Sequence, residues 1–107
     1  MSRVVRRRPG VWRDVVDIAD YIARDNLGAS LRFIDAVERT VTGLAEMPGK
    51  GKAREPIDAA LHGVRSYAVD GFPNHLVFYT FDDHRVLVIA VLHGARDVGR
   101  VLRERTE

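Results

Sequence analysis

The residues of this chain best able to act on a partner are mostly cationic. Lys50, Lys52 and Arg54 lie close together in a stretch that also holds Gly49 and Gly51. Arg65 opens a later apolar run, and His93-Gly94-Ala95-Arg96-Asp97 closes another. A guanidinium can take carboxylate or phosphate in a planar, two-pronged grip. An imidazole can serve as general base where its pKa is poised and a substrate proton is in reach. Each residue also has a plain structural role open to it. Arg65 could pair with Asp17 or Asp20, and Arg96 with Asp97 or Glu104. His93 could hydrogen-bond a backbone carbonyl, and Asp97 is placed to N-cap a following helix. The run Lys50, Lys52, Arg54 could be no more than a solvated basic loop.

Other chemistry is poorly supplied. The chain has no cysteine, so a disulfide framework, a thiolate nucleophile and a thiolate metal site are excluded. His62, His75, His84 and His93 are too scattered for metal-ligand spacing. No catalytic residue, metal site or cofactor is expected. The absence of cysteine suits a reducing cytoplasm.

At 107 residues, 46% of them hydrophobic and 30% charged, the chain is read as one domain spanning residues 1–107 with a real core. The net charge is only +2, but arginine outnumbers lysine 15 to 2. That balance suits an acidic protein partner or nucleic acid, and equally a plain arginine-rich surface. Arg3, Arg6, Arg7 and Arg8 are not followed by the apolar stretch of a secretory signal. The longest apolar run, Val86 to Leu92, is far short of the roughly 20 residues a membrane-spanning helix needs.

These groups must be positioned by elements whose periods are readable. Val4-Val5, closed by Pro9-Gly10, reads as a short edge strand. Val11, Val15, Ile18, Ala19 and Ile22 follow helical spacing, with Asn26 and Gly28 marking a left-handed end. A second helix runs from about Ala29 to Glu46 along Ser30, Phe33, Ile34, Val37, Val41 and Leu44, and Pro48-Gly49 stops it. The short connection implies an antiparallel helical hairpin. Trp12, Tyr21 and Phe33 read as packing residues, with Tyr21 also suited to an interface. Pro48 to His62 has no clear period, with Ile57 and Leu61 as anchors of a short strand. Three β-rich runs then form an antiparallel meander around Asp70-Gly71-Phe72-Pro73-Asn74 and Asp82-Asp83-His84-Arg85. Leu76 to Phe81 and Val86 to Leu92 are apolar on both faces, so both faces need cover. The hairpin covers one. The other falls to the segment Val98 to Arg105 or to a partner protein.

Several segments together resemble the ParE toxins of the RelE/ParE superfamily. Asp14-Val15-Val16-Asp17-Ile18-Ala19-Asp20-Tyr21-Ile22-Ala23 resembles their first helix. Ala29-Ser30-Leu31-Arg32-Phe33 and Leu44-Ala45-Glu46-Met47-Pro48 resemble the start and end of their second. Gly63-Val64-Arg65-Ser66, Val77-Phe78-Tyr79 and Val91-Leu92-His93-Gly94-Ala95-Arg96-Asp97 resemble the strand motifs. The resemblance implies an α+β fold: a small antiparallel sheet, an N-terminal helical hairpin on one face and a short C-terminal helix. It implies a cytoplasmic toxin of a type II toxin–antitoxin module, neutralised by a tight ParD-like antitoxin and inhibiting DNA gyrase as a protein inhibitor rather than an enzyme. Operator DNA would be met only through the antitoxin.

Under that resemblance the toxicity candidates are Arg65, His93, Arg96, Lys50, Lys52 and Arg54. The antitoxin-groove candidates are Tyr21, Phe33, Val37 and Tyr79. RelE-like relatives cut messenger RNA on the ribosome, and many carry a tyrosine just after the last strand. The corresponding run here is Ala95-Arg96-Asp97-Val98-Gly99, and glycine offers nothing to accept a proton or stack on a base. A ribosome-dependent endoribonuclease is the alternative, and an inactive toxin-derived co-repressor a third.

Overall fold

The computed structural model describes residues 2–54 and 62–106. The chain opens with β1 (Val4–Arg7), then forms α1 (Gly10–Ala23) and α2 (Leu27–Glu46). A single 3-10 turn (Pro48–Lys50) leads into β2 (Lys52–Ala53). The meander β3 (Arg65–Val69), β4 (Phe72–Phe81) and β5 (Arg85–His93) follows, and α3 (Val98–Thr106) comes last. The anchors Ile57 and Leu61 lie outside the described residues.

The helices form where the apolar period demands them. Val11, Val15 and Ala19 of α1 are buried, and so are Ser30, Phe33, Val37, Val41 and Leu44 of α2. The link between them differs from the expected left-handed cap. Arg24, the C-cap residue of α1, keeps right-handed helical angles, and Asn26 caps the next helix instead. Its side chain accepts a 2.9 Å hydrogen bond from the Ala29 amide, meeting one of the orphan donors of the first turn. This draws the start of α2 back to Leu27 and puts Gly28 inside the helix. Ser30 Oγ donates to the Ala19 carbonyl at 2.7 Å, tying the two helices together. At the far end, the residue before a proline avoids helical angles, and Met47 leaves the helix just before Pro48.

The strands lie in the order β1-β5-β4-β3-β2. Neighbours pair antiparallel except β1 with β5, which are parallel, so the sheet is mixed and not wholly antiparallel. The reason is connectivity. A tight turn forces antiparallel pairing, while β1 reaches β5 through the whole intervening chain and either direction is open to it. One face of the sheet packs on the helical hairpin, with Val69, Val77, Tyr79, Val86, Val88 and Val91 in the shared core. The opposite face carries Phe78, Ile89 and Leu92 under Val101 and Leu102 of α3. The second cover is therefore the C-terminal segment.

The parallel pairing ends at Arg7 opposite Val88. Beyond it, β5 continues without a strand neighbour on that side, through a bulge that shifts its register against β4. Backbone groups of Ile89 and Val91 are left facing that gap, and an ion pair fills it. Asp14 of α1 accepts the Val91 amide at 2.9 Å. Arg105 of α3 grips the same carboxylate with two nitrogens at 2.5 and 2.6 Å and donates to the Ile89 carbonyl at 3.1 Å. The Asp14 bond is the main influence holding the Arg105 guanidinium charged, above its ordinary range. A Cβ on Gly10 would collide with that guanidinium, so the start of α1 is glycine for close approach.

Removing Asp14 leaves the buried Val91 amide and the partly buried Arg105 guanidinium without their partner. Asp14→Ala is expected to cost about 3 kcal/mol or more. For a domain of this size that lowers Tm by at least about 12 °C in a thermal melt. Arg105→Lys keeps the charge without the fork and should fall between wild type and Asp14→Ala.

Candidate functional site

The sheet sorts the expected site residues into two places. The first is the edge formed by β2 and β3. Arg65 sits beside Tyr79 in register and donates to the Gly51 carbonyl at 2.7 Å, not to Asp17 or Asp20. Its guanidinium also lies 5.7 Å from the centre of the Phe81 ring, and Arg3 lies 5.6 Å from the same ring. Lys50 Nζ stands 4.7 Å from the Tyr67 ring centre, and Arg54 is 5.5 Å from that of Phe78. Lys52 is exposed on β2, opposite Ser66. The basic run is therefore more than a solvated loop. Three of its four cations, counting Arg65, rest on aromatic faces, an arrangement worth about 0.5–1 kcal/mol each at exposed sites.

Tyr79 organises this edge from within. Its hydroxyl donates to the Pro48 carbonyl at 2.5 Å and accepts from the Gly51 amide at 3.0 Å. Burial, the largest influence, raises its pKa above the ordinary 10.0, so the phenol stays neutral. A Cβ on Gly51 would run into that hydroxyl. Tyr79 is thus a correction to the expected groove: it is fully buried and fastens the turn that presents Lys50 and Lys52. Phe33 and Val37 are corrections of the same kind, both lying in the core between hairpin and sheet. Helical spacing aimed them inward, and the inward side is occupied by the sheet. Tyr21 is 67% exposed, with Arg24 over its ring, and remains available to a partner. Trp12, expected to pack, is 64% exposed.

The second place is the far end of the β4–β5 pair. His93 pairs with His75 in register, four residues along β4 from Tyr79 and so about 13 Å from the Arg65 end. The two imidazoles meet edge to face at 5.2 Å, and His75 also contacts Phe33 at 5.3 Å. His93 Nδ1 accepts the Ala95 amide at 3.0 Å, so its backbone partner is a donor and not the expected carbonyl. Asp97 accepts from the Arg100 amide at 3.2 Å, the N-cap expected of it, and pairs with the Arg100 side chain at 3.7 Å. Arg96 is exposed and, among the described residues, its side chain has no bonded partner.

Sequence reasoning missed Asp14, Arg105 and His75. His75 could have been found by counting back across the β4–β5 turn from His93. Among the described residues no group of histidine, aspartate and glutamate could hold a metal ion. No described helix is long and apolar enough to cross a membrane.

Residues 5–98 match the family described as "ParE toxin of type II toxin-antitoxin system, parDE". The chain belongs to the ParE toxin family. A solved structure described as "Chromosomal ParDE TA system from P. aeruginosa" shares the fold, with a TM-score of 0.67 at 13% identity. The alignment covers 86% of this chain and 96% of that one. No curated protein matches in sequence. The ParE match takes in every expected site residue and ends at the first residue of α3, short of Arg105.

Two outcomes test this geometry. Tyr79→Phe leaves the Gly51 amide and the Pro48 carbonyl without their partner and should cost about 1–3 kcal/mol by chemical denaturation. His75 has its pKa held below the ordinary 6.5, first by burial and then by His93. The unfolded chain therefore binds more protons than the folded one as pH falls through 6.5, and stability drops. Denaturation midpoints at about pH 5.5 and about pH 7.5 should differ in that direction. In His75→Phe the difference should shrink.

Proposed function

We propose that this ParE-family chain is the toxic component of its module, bound tightly by a ParD-like antitoxin, and that it acts by inhibiting DNA gyrase through binding and not through catalysis. The observation that carries this reading is the family match over residues 5–98, from β1 to the start of α3. The neighbour described as a ParDE toxin–antitoxin system adds an antitoxin partner by analogy. Operator DNA is met through that antitoxin.

The chemistry of the site supports a binding mode. Tyr79 is neutral, buried and committed to two backbone bonds. His93 spends one ring nitrogen on the Ala95 amide. Gly99 stands in α3 where RelE-like enzymes often carry tyrosine. A positioned acid or base contributes about 10²- to 10⁴-fold to a rate, so its loss would leave RNA cleavage feeble. Poisoning a topoisomerase needs only a surface that holds one of its states more tightly than another. Arg96 and Lys52 are, among the described residues, exposed cations of that surface whose side chains have no bonded partner. Arg65, Lys50 and Arg54 contribute from fixed positions, and Tyr21 faces the antitoxin.

Induction is expected to give filamentous cells and a DNA-damage response, and purified chain should impair supercoiling by gyrase. Ribosome-dependent messenger cleavage with supercoiling untouched would instead favour the endoribonuclease. Arg96→Ala should change folding stability by no more than about 0.5 kcal/mol, as exposed substitutions do. As an interface anchor its loss would cost about 2 kcal/mol, or roughly 30-fold in affinity for the target. Growth inhibition and melting measured on the same variant separate the two effects.

A further inference from the structure

The face of the sheet under α3 is covered at one end only. At the other end a cavity of about 430 Å³ opens between β1, β5 and β4. Arg6, Leu87 and Thr80 are register partners across those strands and share one side of the sheet. Arg8, two residues along from Arg6, and Arg85 complete a ring of three guanidinium groups around the half-buried Leu87. Thr80 stands beside Leu87 on the neighbouring strand and completes the floor.

Among the described residues the ring lacks matching negative charge, and Asp82 is the one carboxylate on its wall. One of its oxygens already accepts the His84 and Arg85 amides at 2.8 and 2.9 Å. The other lies 3.8 Å from Arg85 Nε. Among the described residues, neither Arg6 nor Arg8 has a carboxylate partner, unlike Arg7, which pairs with Glu38 at 2.9 Å. The Nε of Arg8 is buried and, among the described residues, donates to no acceptor. A buried donor left unpaired is costly, and an incoming acceptor removes that cost.

We propose that this cavity is a docking site for an acidic peptide segment of a partner protein, taking carboxylates between Arg6, Arg8 and Arg85 and an apolar side chain on Leu87. The pairing of charge with an apolar floor selects peptide over nucleic acid. A phosphate backbone needs only cations, whereas the half-buried Leu87 rewards a side chain with hydrocarbon to bury. The site stands apart from the β2–β3 edge and from Arg96, and it does not depend on gyrase being the target.

The probe is a synthetic peptide alternating glutamate with leucine, titrated into the full chain and followed by ¹H–¹⁵N spectra that include the arginine Nε–H resonances. Saturable shifts are expected at the Nε–H of Arg6, Arg8 and Arg85 and at the Leu87 amide. The double substitution Arg6→Ser with Arg8→Ser should weaken binding at least tenfold. Lys52→Ala and Arg96→Ala should change it less than twofold. Should the double variant fail to fold, Arg85→Ser serves in its place, since the turn keeps its backbone bond from the Arg85 amide to Asp82 and loses only an exposed 3.8 Å ion pair. Equal shifts over all basic residues, or unchanged affinity in the substituted chain, would overturn the proposal. So would displacement of the peptide by a single-stranded oligonucleotide of equal charge at lower concentration. Self-association lost with the arginines would assign the cavity to a second copy instead.

Discussion

A strand that outruns its neighbour is the constraint around which this fold is arranged. β1 stops where Pro9 and Gly10 turn the chain into α1, but β5 continues, and the backbone groups it exposes have no strand to meet. An unsatisfied backbone group in a buried position is costly, so something must stand in for the missing strand. Asp14 and Arg105 do so together, one accepting an amide and the other donating to a carbonyl. Because the two residues also grip each other, one local repair fastens the first helix, the last helix and the central sheet at a single point.

That fastening explains how a sheet apolar on both sides is closed. The helical hairpin is held broadly, by a continuous apolar stripe on each helix. α3 is short, and Val101 and Leu102, with the partly buried Val98, give it a small footing. A guanidinium fork is directional where hydrocarbon contact is not, so Arg105 sets the placement of α3 while the two apolar residues supply burial. The same division of labour recurs at the β2–β3 edge. There the Tyr79 hydroxyl sets the path of the turn from Pro48 to Gly51, and aromatic faces carry the cations above it.

Local pattern made much of this legible. The two helices, their short connection and the three meander strands follow from period and turn chemistry, and the Asp97 cap from its place before a helix. Periodicity tells which way a side chain faces but not what it meets there. Phe33, Val37 and Tyr79 therefore looked as suited to a groove as to a core, and they belong to the core. The direction of β1 was hidden because no turn links it to its partner. The pairing of Asp14 with Arg105 was hidden because the residues lie 91 positions apart. In sequence, Asp14 is only one acidic residue in a mixed amphipathic helix. The candidate site was legible as a set of residue types, but its division into two separated places depends on strand register, which composition does not carry.

The separation between Asp14 and Arg105 bears on how the chain comes to life. β1 must find β5, with Val4 beside Arg85, and the clasp on α1 must wait for Arg105. Contacts between distant parts of a chain form late, and during synthesis they form only after the later partner has cleared the ribosome. Until residue 105 emerges, Asp14 stands uncompensated against β5 and one face of the sheet lacks its cover. A nascent chain is thus held short of its finished form for almost its entire translation. Only over the last stretch, between the completion of β5 and the arrival of α3, does the apolar underside of the meander exist without its cover.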